Sequence, residues 1–214
     1  MGDRRVGRGA CSCVMEFAII SESSADEAAL HAFCEALLEQ QIPRATLPVI
    51  VRRGWSALRQ DLPVALRAVR FRTTADVVLV VADSDGTSLE ANHPTNRLAQ
   101  LQAMADENLG RPGPNQRRIT AITGLAVPCI EAWWLAHSDH QISEVTWLRR
   151  HDGTRVPYDK PALKRRLYGT DRVGLPEQTR LMVDAARAAA LHAEELGRRF
   201  PRGLMPFLTG LRGL

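Results

Sequence analysis

The stretch ADVVLVVADSDGTS, residues 75 to 88, constrains this chain more than any other. A run of β-branched and aliphatic residues reads as a buried strand, and it stops at Asp83-Ser84-Asp85-Gly86-Thr87. Around it, apolar runs alternate with helical spacing. VMEFAII reads as a first strand, RATLPVIV (44–51) as a second with Pro48 marking an edge or kink, and RRITAITGLAV (117–127) as a fourth. Helices are expected within 21–40, over 54–71 with an interruption at Pro63, over 95–109, and from Pro128 onward in PCIEAWWLAH. GRPGPNQ (110–116) is a loop. Strands alternating with helices predict an α/β fold with a parallel four-stranded sheet flanked by helices. Beyond about residue 140 the strand pattern ends. KPALKRRLYG, 176–200 and 203–214 read as helices of a C-terminal extension packed on the α/β part.

A chain of 214 residues, 45% apolar, can bury a core without staples. The organisation expected is a flexible basic tail over 1–14, an α/β domain over 15–140 and the helical part over 141–214; Met15 is an alternative start. The net charge of +4 mildly favours polyanionic partners. Of 28 basic residues only Lys160 and Lys164 are lysines, a bias that fits coding composition or the use of planar guanidinium forks on phosphate. Cys11, Cys13, Cys34 and Cys129 form neither a disulfide framework nor a zinc pattern and read as reduced thiols of a cytoplasmic protein. No apolar run approaches the ~20 residues of a membrane span. The chain carries no Gly-x-x-x-x-Gly-Lys-Ser/Thr loop, so any ATP belongs to a partner.

Ligands of open parallel sheets bind beyond the carboxyl ends of the strands. Glu22 follows the first strand, Asp83 and Asp85 the third, and Glu131 the fourth. Four carboxylates on one rim repel one another, and a hard divalent cation relieves that repulsion. Each also has a plain structural explanation. Asp83 and Asp85 fit a turn, while Glu22 and Glu131 fit helix starts. Trp133 and Trp134 read as packing residues, and His137 and His140 as surface residues past a short helix.

An apolar strand followed by Asp-x-Asp-Gly-Thr resembles the phosphatases of the haloacid dehalogenase family. That resemblance implies Asp83 as nucleophile and Asp85 as general acid/base. Those enzymes also need a lysine at the phosphoryl group, and the lysines here fall in a predicted helix remote in sequence.

The order Glu22, Asp83-x-Asp85 and Glu131-x-Trp133-x-Leu135 resembles a family of Toprim-like bacterial proteins. They are related to the Toprim part of overcoming-lysogenization-defect nucleases and are often encoded beside an ATPase. This resemblance covers about residues 15 to 140. It implies a Toprim-like fold and a Mg²⁺- or Mn²⁺-dependent phosphodiester-cleaving hydrolase acting on nucleic acid, with DNA the expected substrate. Glu22, Asp83 and Asp85 would be catalytic and bind the metal, with Glu131 as an outer ligand. Arg52, Arg53 and Arg97 are the candidates to neutralise phosphate, with Arg198 and Arg199 as a further phosphate contact. The setting implied is antiviral defence or DNA processing with an ATPase partner, without a membrane, and a homo-oligomer is compatible with it. Two departures bear on catalysis. Ser23 stands where related proteins place glycine, and no lysine is expected at the rim. A catalytically inactive Toprim-like protein that only binds a partner is the third expectation.

Overall fold

A computed structural model describes residues 15–48, 53–85, 87–114, 116–148, 158–170 and 172–214. The tail over 1–14, Cys11, Cys13, Arg52 and Gly86 lie outside the described residues.

Three parallel strands form the sheet in the order β1 (Phe17–Ile20), β2 (Val77–Asp83), β3 (Thr120–Ala126). Phe17 pairs with Val77, and β2 pairs with β3 from Val77–Thr120 to Asp83–Ala126. The architecture is α/β as expected, with three strands among the described residues rather than four. The segment expected as the second strand makes one isolated parallel bridge, Arg44 to Phe17. There the Phe17 amide donates to the Pro43 carbonyl and the Ala45 amide to the Phe17 carbonyl. Pro48 lacks the N–H that would continue a ladder, and 49–51 are outside the described residues.

The central strand is buried on both faces, and its side chains alternate between two helical layers. Leu79 and Val81 face a core shared with Phe33, Trp133, Trp134 and Phe207, whereas Val78, Val80 and Ala82 face Leu58, Leu62, Leu66 and Leu101. The first layer holds α1 (Ser24–Leu38), α4 (Ile130–Leu135), α7 (Leu175–Ala190) and α9 (Leu204–Arg212); the second holds α2 (Trp55–Arg72) and α3 (Arg97–Leu109). Short helices α5 (Glu144–Leu148), α6 (Lys160–Tyr168) and α8 (Ala193–Arg199) complete the chain. Trp133 and Trp134 are fully buried, edge to face at 6.1 Å, against Phe207 and Phe33.

Two expectations about helices are corrected. Pro63 does not interrupt α2, because burial of Leu58, Leu62, Ala65, Leu66 and Val69 against the sheet outweighs the lost backbone bond. The run 176–200 is two helices, α7 and α8, parted by a turn at Leu191-His192.

Candidate active site

Two adjacent parallel strands bring the acids together. Glu22 lies two residues past β1, and Ser23 then caps α1, its hydroxyl accepting the Asp26 amide at 3.1 Å. Ser23 is extended (φ −149°), so this position needs no glycine, and the departure noted there carries no backbone cost. Asp83 is the last residue of β2. The Ser84 amide continues the ladder to the Ala126 carbonyl, and Asp85 turns at φ 48°, a left-handed conformation that Asp tolerates better than most residues.

Glu22 and Asp83 are bonded directly: the Asp83 amide donates to Glu22 Oε1 at 2.9 Å. Asp83 Oδ1 accepts the Ile130 amide at 3.0 Å, where α4 begins. Arg97, the buried first residue of α3, gathers the rest. Its Nη1 donates to the Asp83 carbonyl at 2.6 Å and to Asp85 Oδ2 at 2.8 Å, and stands 3.7 Å from Glu22 Oε1. Its guanidinium lies 4.7 Å over the Trp55 ring, a cation–π contact that fixes its plane.

The largest correction concerns lysine. Lys160, the first residue of α6, reaches Asp83 Oδ2 at 3.0 Å and also bonds Asp85 Oδ1. Lys164, one turn on, stands 3.8 Å from Glu131 Oε1. Both lysines of the chain are therefore at the acidic rim. Glu131 is buried and accepts the Tyr168 hydroxyl at 2.9 Å.

Burial and crowding of like charge set the protonation. Burial pushes Asp83 well up; the Lys160 ammonium opposes this, while Glu131, Asp26 and Glu22 add to it. Burial raises Glu22 too, against the Asp83 amide, with Asp85 adding to the rise. Asp26, which no motif singled out, is pushed by burial to about 7, with the Ser23 hydroxyl opposing and Glu131 and Glu22 assisting. Asp85 moves the other way: burial raises it, but hydrogen bonds from Lys160 and Arg97 bring it below the ordinary carboxyl value. Burial works against the Lys160 ammonium, yet Asp83 and Asp85 hold its pKa above the ordinary lysine value.

Arg53 shares with Glu22 a cavity of about 510 Å³ that Ser21, Ser23 and Arg44 also line; Arg44 is paired with Glu27 at 2.5 Å. Arg198 and Arg199 are not brought to the rim. Arg199 donates to the carbonyls of Ala136, Asp139 and Ile142 and so braces the turn after α4, and Arg198 lines a separate cavity with Leu191 and Arg212. His137 bonds the Trp134 carbonyl and stacks on His192. Cys34 and Cys129 are free and buried. Among the described residues no helix is long and apolar enough to cross a membrane.

Carboxylate oxygens are donors of the kind a hard cation takes. Oxygen ligands crowd one rim, and Asp83 and Asp26 are raised in part by their acidic neighbours. As the side chains stand, the Lys160 ammonium bridges Asp83 and Asp85, and among the described residues no group of three or more His, Cys, Asp or Glu is arranged to hold a metal ion. Sequence reasoning passed over Lys160, Asp26 and Tyr168. For Lys160 a signal existed: lysine is nearly absent from a chain rich in arginine, which makes each lysine conspicuous. No family model, curated protein or solved structure matches the chain.

Proposed function

We propose that this rim cleaves phosphodiesters in nucleic acid with a divalent cation, as the Toprim-like resemblance implies. The observation that carries this reading is the direct bond from the Asp83 amide to Glu22, which builds the first-strand acid into the Asp-x-Asp site. Glu22, Asp83 and Asp85 are the residues to hold Mg²⁺ or Mn²⁺, with Glu131 outside them. When bound, such an ion supplies a Lewis acid for the phosphate and a water of lowered pKa. The side chains do the rest. Lys160 and Arg97 offer fixed positive charge where negative charge grows on the phosphoryl oxygens. Glu22, raised by burial, is suited to take and return a proton. Trp55 and the carbonyl of Asp83 keep Arg97 from following the substrate. DNA as substrate, and an ATPase partner in antiviral defence, are part of the same proposal and rest on the resemblance.

Lys160 also favours a second reading, since its contact with Asp83 supplies the lysine that a phosphatase of the haloacid dehalogenase type requires. Against it, the Glu22 carboxylate bonded to the Asp83 amide has no part in that mechanism. Variants separate the two. Glu22→Gln, Asp83→Asn, Asp85→Asn and Lys160→Ala should each lower Mg²⁺-dependent cleavage of labelled DNA by about 100-fold or more, the scale of removing one group that stabilises transition-state charge. Hydrolysis of a chromogenic phosphate ester that survives Glu22→Gln but not Asp83→Asn would establish the phosphatase instead. Neither activity, with a partner still co-purifying, would establish a binding protein.

A further inference from the structure

A further cavity, of about 430 Å³, lies between α6 and the start of α7. Its volume lies within the ~300–1,000 Å³ of small-molecule sites. Both lysines of the chain line it, four residues apart on one helix and hence about 6 Å apart along the axis. Lys160 is committed to Asp83 and Asp85, so it joins this cavity to the acid cluster. Lys164 is half exposed and too far from Glu131, at 3.8 Å, for a hydrogen bond. Arg172 also lines the cavity, and its one hydrogen bond among the described residues is from its backbone amide to the Thr170 hydroxyl.

Among the cations of this cavity, Arg172 is the one whose side chain has no carboxylate partner among the described residues, Lys160 being paired with Asp83 and Asp85 and Lys164 with Glu131. Gln178 and Thr170 add polar groups to the wall, and Pro161 and Val173 give it apolar surface. Tyr168, bonded to Glu131 and approached by Gln178 at 3.4 Å, holds that wall in place. A pocket with one unpaired guanidinium, a half-exposed ammonium that only a 3.8 Å ion pair to Glu131 engages, polar groups and some apolar surface matches a phosphate attached to a sugar and a base. A compact ammonium with rotatable donors suits a phosphate met as a point charge.

We propose that this cavity receives the nucleotide adjoining the scissile phosphate of an unpaired nucleic-acid strand, with the outer phosphate on Lys164 and Arg172. The proposal rests on the phosphodiester-cleavage reading for the place of the scissile bond. Lys160 then marks the boundary between the bond that breaks and the nucleotide that is held.

The test is binding without catalysis. A single-stranded oligonucleotide carrying a fluorophore is titrated in EDTA and followed by anisotropy over a range of salt. Lys164→Ala and Arg172→Ala should each weaken binding by roughly three- to tenfold, and Lys164→Arg should retain it. Together the two Ala changes should flatten the slope of log K against log salt by about 1.4, two contacts at ~0.7 each on a single strand. An unchanged affinity and slope in the double variant, or no binding by the unaltered protein, would overturn the assignment. A nucleoside monophosphate that competes on equal terms with the strand would overturn its placement as part of a strand. Cleavage of the same oligonucleotide in Mg²⁺ is scored separately. Binding that depends on Lys164 and Arg172 without cleavage removes the catalytic reading and leaves the nucleotide site. Cleavage with normal binding by the double variant removes the nucleotide site alone.

Discussion

At the scale of single residues, the rim is a balance of burial against charge, and Asp26 shows it most plainly. Its carboxyl has an ordinary value of 3.8 and is pushed to about 7 by burial, despite the Ser23 hydroxyl, with Glu131 and Glu22 adding to the rise. Between those two values the folded protein binds more protons than the unfolded chain, so stability falls as pH rises through the window and levels off above about 7. Asp26→Asn removes that dependence with little change of shape. In chelator-containing buffer its melting temperature should match the unaltered protein near pH 4 and exceed it by a growing margin toward pH 8. A variant that melts lower at pH 8 would show that the ionised carboxylate is stabilised, not strained. Lys160 stands at the opposite pole, a cation held above its ordinary pKa by the carboxylates it bridges. Its role follows from those partners, which lie 75 and 77 residues away in sequence. Nothing local to Lys160 announced them.

At the scale of elements, the covering of β3 depends on how closely α9 approaches it. Leu204, Phe207, Leu208 and Leu211 make one buried stripe, and the turn before the helix brings Gly203 against the strand. A Cβ at Gly203 would lie 2.1 Å from the Leu125 carbonyl oxygen, a backbone atom that cannot swing aside. Gly203→Ala should therefore cost about 1–3 kcal/mol, the range for overpacking a close contact, read as a lower denaturation midpoint with an unchanged slope. Equal stability would mean that α9 can withdraw from β3 freely. The places of the sheet strands β1 to β3 and of the helices covering them were legible in sequence because each is a local pattern. The continuity of α2 through Pro63 was not, since it reflects the apolar face that helix buries rather than its own propensity.

At the scale of the whole molecule, the helices after residue 140 are one wall of the core. Phe200, Phe207, Leu208 and Met182 belong to the same cluster as Phe17, Phe33, Trp133 and Trp134. A chain cut after residue 140 would expose that apolar surface, and the burial lost, about 1.5–3 kcal/mol per large side chain, exceeds what a domain of this size holds in reserve. The truncated chain should show no cooperative thermal transition and should be digested rapidly by protease under conditions that leave the full chain intact. A cooperative transition in the fragment would make the C-terminal helices an appendage. The same cut would remove Lys160, Lys164 and Arg172, so fold and candidate site are lost together.

What the amino-acid sequence determined alone is what short-range chemistry can specify. An apolar run too evenly buried to face water makes a central strand, helical spacing makes the layers that cover it, and carboxylates after successive strands meet at one rim because parallel strands end on the same side. What only the tertiary structure decided is which charges face those acids. Arg97 reaches them because Trp55 lies beneath it, and Lys160 because α6 delivers its first residue between Asp83 and Asp85. Arg199 turns to backbone carbonyls instead. A charged side chain takes the partner that packing places within a few ångströms, and that distance belongs to the folded chain.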